Sequence, residues 1–191
     1  MVLTTEKKLL LASASPSREM LLERAGLAFK VLVSGVDETV PNDFTPAQTV
    51  ECLAQRKGEA VFALRPDCAV IAADSVVVID NMILGKPKDD DDAKATLRRL
   101  SGRTHEIYTG VCLLADEKRE VFHNVTQVQF YPLSDEEIAE YVAMGESRGR
   151  AGSYGIEGLG VTLVQSIVGD YSNIVGLPVA ETLRRLKAML Q

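Results

Sequence analysis

From residue 67 to residue 80 the chain is built mainly of Val, Ile and Ala, with little alternation of polar and apolar side chains. A strand with one wet face alternates, whereas an unbroken apolar run bounded by polar residues reads as a strand covered on both faces. Covering both faces of a sheet takes helices on each side, so this stretch points to an α/β fold. Its polar interruption is Asp74, followed by Ser75. A carboxylate in such a setting is costly unless it is paired, bound to metal, or placed at an exposed end.

The segments around it fit the same fold. Residues 9–13 read as a strand, after which Ser15 caps and Pro16 opens a helix carrying Met20, Leu21 and Leu22 that stops at Gly26. Residues 29–34 read as a second strand, followed by a loop with Asp37 and Glu38. Thr45-Pro46 starts a helix through Val50, Leu53, Ala54, Lys57 and Val61 to about Leu64. Asn81-Met82 predicts a tight turn into Ile83-Leu84. A helix with Ala93, Leu97 and Leu100 follows the aspartates 89–92 and closes at Gly102. Residues 107–114 and 120–131 predict antiparallel strands about the turn 115–119, and Ser134 with Glu137 predicts a capping box. A last strand at 162–168 and a helix from Leu177-Pro178 to about Leu190 complete the chain. Helices alternate with strands but hairpins also occur, so the expected fold is an α/β mixed twisted sheet with flanking helices. No linker, repeat or shift in composition divides it, so residues 1–191 read as a single domain.

Charge and cysteine usage narrow the function. A net charge of −6 disfavours duplex nucleic acid, which is bound by excess Lys and Arg, but admits a small phosphorylated ligand where a few cations converge. Cys52, Cys68 and Cys112 are odd in number and lack CxxC spacing, so reduced thiols in apolar surroundings and a cytoplasmic setting are expected. The apolar runs are far shorter than the roughly 18 residues of a membrane helix, and the N-terminal segment leads straight into a strand rather than forming a signal peptide. A soluble protein is the expectation.

Several positions can carry chemistry. Ser13-Ala14-Ser15-Pro16-Ser17-Arg18 is a strand-to-helix turn of small residues whose N–H groups and arginine suit a phosphate; an ordinary capped helix with a solvent-facing arginine fits equally. Asp74 suits proton transfer or metal binding, or else a buried structural hydrogen bond. Proline fixes the backbone beside Lys86 in Gly85-Lys86-Pro87, although surface lysines in turns are common. Lys57 lies three positions after Ala54 and can reach from the core side of its helix toward a cleft. The aspartates 89–92 read as a solvated helix start, and His105 and His123 lack zinc-site spacing. Residues 151–160 hold four glycines around Tyr154 and Glu157, a loop able to cover a planar base with Tyr154 and meet its edge with Glu157, or else a plain turn.

Taken in order, the 10–18 turn, Val36-Asp37-Glu38, Ala73-Asp74-Ser75-Val76-Val77, Gly85-Lys86-Pro87, Leu100-Ser101-Gly102-Arg103-Thr104-His105, Tyr108-Thr109-Gly110, 151–160 and 169–178 resemble the Maf family of nucleoside triphosphate pyrophosphatases, once described as septum-formation inhibitors. The resemblance implies an elongated two-lobed α/β domain with a central cleft, usually dimeric. It also implies hydrolysis of a nucleoside triphosphate to the monophosphate and pyrophosphate with a divalent cation, Mg²⁺ or Mn²⁺. By the same resemblance Asp74 is the base that activates water and Glu38 helps it hold the metal. Arg18, Lys57 and Lys86 bind the triphosphate with Ser13 and Ser15, and Glu157 faces the base. The common family turn has two arginines after Ser-Pro, where this chain has Ser17 and Arg18. Ser75 and Glu157 stand where the subgroup acting on dTTP and UTP has threonine and glutamine. Glu157 and the Ser-Pro-x-Arg turn resemble the subgroup acting on 7-methyl-GTP, while Tyr154-Gly155-Ile156 resembles the pyrimidine subgroup. A hydrolase of damaged nucleotides shares this chemistry, and a nucleotide-binding regulator of cell division is the rival reading.

Overall fold

The computed structural model describes residues 7–191. The reading of the extreme N-terminus as free of a signal peptide falls on residues 1–6, outside the described residues. In chain order the elements are β1 (Leu9–Ala12), α1 (Pro16–Arg24), β2 (Phe29–Val31), α2 (Pro46–Leu64), β3 (Ala69–Ile79), β4 (Met82–Leu84) and α3 (Asp90–Leu100). These are followed by β5 (Thr104–Ala115), β6 (Lys118–Phe130), α4 (Asp135–Ala143), β7 (Val164–Val168), α5 (Tyr171–Val175) and α6 (Val179–Met189). The seven strands form one mixed sheet in the order β2-β1-β3-β5-β6-β7, with β4 paired to β3. β1 runs parallel to β2 and β3, whereas β3–β4 and β6–β7 are antiparallel. Among the described residues no helix is long and apolar enough to cross a membrane.

The chain packs as two compact units. The first comprises the residues up to Ser75, Thr109–Asn124 and Gly176–Gln191; the second comprises Val76–Tyr108 and Val125–Val175. In the first unit β1 lies between β2 and β3, so the β1–α1–β2 and β2–α2–β3 crossovers run in opposite directions across the sheet. Right-handed crossovers of opposite direction put α1 and α2 on opposite faces. That arrangement explains the apolar stretch of β3, which is buried along its length except at Asp74 and Ser75.

The α2 face of the first unit is packed by Leu10, Ala12, Val70, Ala72, Cys112 and Leu114 against Ala54 and Val61. α2 starts from a capping box, in which Thr45 Oγ1 accepts from Gln48 N and Gln48 Oε1 accepts from Thr45 N, with Pro46 in the first turn. Glycines set how close the helix lies. Gly58 faces Leu114, Cys112 and Ala72, and a β-carbon on Gly110 of β5 would stand 2.3 Å from the Val50 carbonyl oxygen.

In the second unit Ser134 and Glu137 form the expected capping box, and Asp89 caps α3 by accepting from Asp92 N. The β3–β4 turn lies one residue earlier than the sequence suggests, at Asp80 and Asn81, both left-handed. The Asp80 carboxylate is held there by Arg103 at 2.5 Å and Arg99 at 3.2 Å. β7 starts later than expected because residues 159–163 form a 3-10 turn first. β2 is shorter than expected, and the five-residue α5 is too short to leave a periodic trace in the sequence. Cys68 and Cys112 are buried thiols, whereas Cys52 is only half-buried.

Gly110→Ala drives a methyl group into the α2 backbone, which cannot yield as a side chain can. We expect a loss of stability on the order of 3 kcal/mol, read as a lowered urea midpoint.

Candidate active site

Asp74 and Ser75 are the two partly open residues of β3, and successive strand residues face opposite sides of a sheet. Asp74 shares the α2 side with Ala72. There the Lys57 ammonium meets Asp74 Oδ1 at 2.6 Å and Glu38 Oε1 at 2.7 Å. The Lys57 and Asp74 side chains are 12% and 14% exposed, while Glu38 is 62% exposed. One ammonium therefore holds a sheltered carboxylate on one side and an open one on the other. Removing one member of a sheltered pair leaves the other charge uncompensated.

Ser75 faces the α1 side. Arg18, buried in the first turn of α1, donates from Nη2 to Ser75 Oγ at 2.9 Å, from Nη1 to Ser13 Oγ at 3.1 Å, and from Nε to the Gly176 carbonyl at 2.7 Å. Ser75 Oγ also lies 2.8 Å from Thr109 Oγ1 of β5. Burial pulls the Arg18 pKa below the usual arginine value, opposed by the negative charges of Asp74 and Glu38. Its burial sets aside the solvent-facing arginine of an ordinary capped helix, and both ends of its guanidinium fork meet serine hydroxyls. Ser13 is likewise buried, and its oxygen also accepts from Ser15 N at 3.2 Å. Ser15 occupies the cap position of α1, but its hydroxyl makes no capping bond.

Asp74 and Glu38 are two carboxylates on one ammonium, and no group of three or more His, Cys, Asp or Glu placed to hold a metal ion occurs among the described residues. Two carboxylates suit an ion such as Mg²⁺, which completes its shell with water and substrate phosphates. They do not suit an all-protein cage.

The remaining candidates belong to the second unit. Lys86 is exposed, on a turn whose Gly85 carbonyl accepts from Gly152 N at 3.2 Å. Tyr154 is buried, with its hydroxyl 2.8 Å from His105 Nε2 and its ring edge-on to Phe130. It packs as a core side chain of the second unit. Glu157 is 15% exposed and accepts from Arg150 Nη1 at 2.7 Å.

The four glycines of this loop have internal causes. A β-carbon on Gly152 would meet Val77 at 2.9 Å, on Gly155 the Arg150 guanidinium at 2.5 Å, on Gly158 the Glu146 carboxylate at 2.7 Å, and on Gly160 the Gly155 carbonyl at 2.5 Å. Glu146 also accepts from Leu159 N and Gly160 N. Arg150 and Glu146 were not singled out from the sequence, because neither spacing nor residue type sets them apart from ordinary surface positions; Thr109 stood only within the Tyr108-Thr109-Gly110 motif, with no role attached to it.

A carboxylate, lysine and buried arginine gathered around mid-sheet strand positions define an α/β enzyme with groups for proton transfer and anion binding. The chain belongs to the Maf-like protein family, which matches residues 8–189. The dTTP/UTP pyrophosphatase of Bacillus cytotoxicus is 49% identical over 95% of each chain. That of a Geobacillus species is 46% identical over 96% of this chain and 98% of its own. That of Bacillus velezensis is 44% identical over 95% and 96%. Among solved structures, the Ham1 protein of Staphylococcus aureus aligns with a TM-score of 0.46 and 17% identity, over 65% of this chain and 72% of that one.

His105 gives the second unit a pH dependence. Burial pushes its pKa down to about 4 from 6.5, and its Nδ1 has no partner among the described residues. The unfolded chain therefore binds the extra proton between those values, and stability that is full above pH 6.5 falls as pH drops toward 4. We expect a loss of roughly 3 kcal/mol across this window, absent in His105→Gln when the two are compared by urea unfolding at each pH.

Proposed function

We propose that this chain hydrolyses a nucleoside triphosphate, with dTTP and UTP as substrates, to the monophosphate and pyrophosphate. The observation that carries this reading is the Lys57 ammonium held between Asp74 and Glu38. Asp74 takes a proton from the attacking water, a task suited to a sheltered carboxylate. The oxygen left on that water attacks the α-phosphorus, and the bond to the β-phosphate oxygen breaks to release pyrophosphate. Lys57 orients Asp74 and places positive charge where negative charge develops. Glu38 and Asp74 would hold a divalent cation, whose chemistry is to neutralise phosphate charge. Ser15, with a hydroxyl not used in capping, and the N–H groups of the α1 turn suit a phosphate oxygen.

In the second unit Lys86 and Glu157 occupy the family motif positions for phosphate and base. A carboxylate paired with Arg150 accepts hydrogen bonds but does not donate them. The N3–H of thymine or uracil supplies such a donor, as does the N1–H of guanine. The latter keeps 7-methyl-GTP as a second reading, favoured by Glu157 itself. A homodimer and a cytoplasmic location are part of the same proposal.

Pyrophosphate release from dTTP, UTP, CTP, GTP and 7-methyl-GTP, with Mg²⁺ or Mn²⁺, tests it. We expect dTTP and UTP to lead, and Asp74→Asn to lower kcat at least about 10²-fold. Lys57→Met is expected to cost about 10²–10³-fold. Undiminished release by Asp74→Asn removes Asp74 from the reaction. Binding of a triphosphate by the wild type without any release makes the chain a nucleotide-binding regulator instead.

A further inference from the structure

Residues 69–73 and 76–79 of β3 are buried, whereas Asp74 and Ser75, in the middle of the same strand, are only half-buried. Their side chains are held by polar contacts. On one face these are the contacts of Asp74 with Lys57; on the other, Ser75 Oγ is shared by Arg18 Nη2 and Thr109 Oγ1, at 2.9 and 2.8 Å. Thr109 is wholly buried, so its hydroxyl is not a surface group that happens to lie near. Arg18 extends the grip to Ser13, before α1, and to Gly176, before α6. Gly176 has a φ of 128°, and a β-carbon there would stand 3.4 Å from Arg18 Nε.

We infer that Arg18, Ser75 and Thr109 form a buried brace that positions Asp74 from the face of the sheet opposite Lys57. The inference rests on the role proposed for Asp74 and makes Thr109 and Arg18 positioning residues rather than catalytic ones. A hydroxyl held by two fixed partners has one orientation, and that orientation fixes the strand backbone at the residue next to the carboxylate. Displacing a reacting group by a fraction of an ångström lowers the rate of proton transfer without changing what holds the phosphates. The brace therefore acts on kcat.

Thr109→Val keeps the shape of the side chain and removes its hydroxyl. We expect kcat to fall between about tenfold and a hundredfold, with KM within about twofold. The acidic limb of the kcat–pH profile should move, and Thr109→Ser should restore both. A second readout needs no turnover. In the ¹³C-carboxyl spectrum of the substrate-free protein at one pH, the Asp74 signal, assigned by its loss in Asp74→Asn, should change its chemical shift in Thr109→Val and recover it in Thr109→Ser. If Thr109→Val does not fold, Ser75→Ala is read in the same way.

The brace is overturned if the folded variant leaves kcat, the pH profile and the Asp74 chemical shift unmoved, even where its Tm falls, since that is a structural role alone. It is also overturned if KM rises while kcat holds, which makes the hydroxyl a substrate contact. A wild type that releases no pyrophosphate, together with an Asp74 signal that moves in Thr109→Val, sinks the proposed activity and leaves the brace standing.

Discussion

The ammonium of Lys57 is what allows a carboxylate to sit inside an apolar strand. Without a cation at 2.6 Å, Asp74 would be a charge half withdrawn from water among valines and alanines, a placement that folding disfavours. The need for that cation fixes the position of α2. Lys57 reaches Asp74 because Gly58 and Gly110 let the helix lie close on β3 and β5, and because the Thr45 capping box starts the helix in register. Sequence spacing, helix seating and site charge are thus one constraint expressed at three levels.

That constraint also separates what the sequence reveals from what it conceals. β3 and α2 follow from an unbroken apolar run and a Thr-Pro start, both local signals. Asp74 stands out because a charge in such a run is improbable by itself. Lys57 and Glu38 were read partly from chemistry and partly from family resemblance, and the structure puts Lys57 on Asp74 and Glu38 on Lys57. Arg18 was legible as a cation near a helix start, but its burial was not, because that depends on Ser75 and on Gly176, which is 158 residues away. Thr109 entered only as part of the Tyr108-Thr109-Gly110 motif, and its role was not legible: a threonine in a strand is ordinary until its neighbours are known.

Residues 151–160 show the reverse case, in which the signal was strong but left two causes open. Glycines beside a tyrosine and a glutamate suggested a backbone opened for a ligand. Each glycine instead yields space to a neighbour within the unit, and Tyr154 turns inward to His105. A run of glycines reports close approach without saying what approaches.

The way this loop closes around Glu146 and Arg150 has a thermodynamic consequence. Its backbone N–H groups are bonded to the Glu146 carboxylate, and Arg150 lies against Gly155 while pairing with Glu157. A loop already tied to its own charges has little conformational entropy left to surrender when a ligand arrives. Glu157, mostly sheltered from solvent, is also less open to screening by salt than a surface carboxylate. Ionic strength would then act far less on the shape of this loop than on charges held at the open surface.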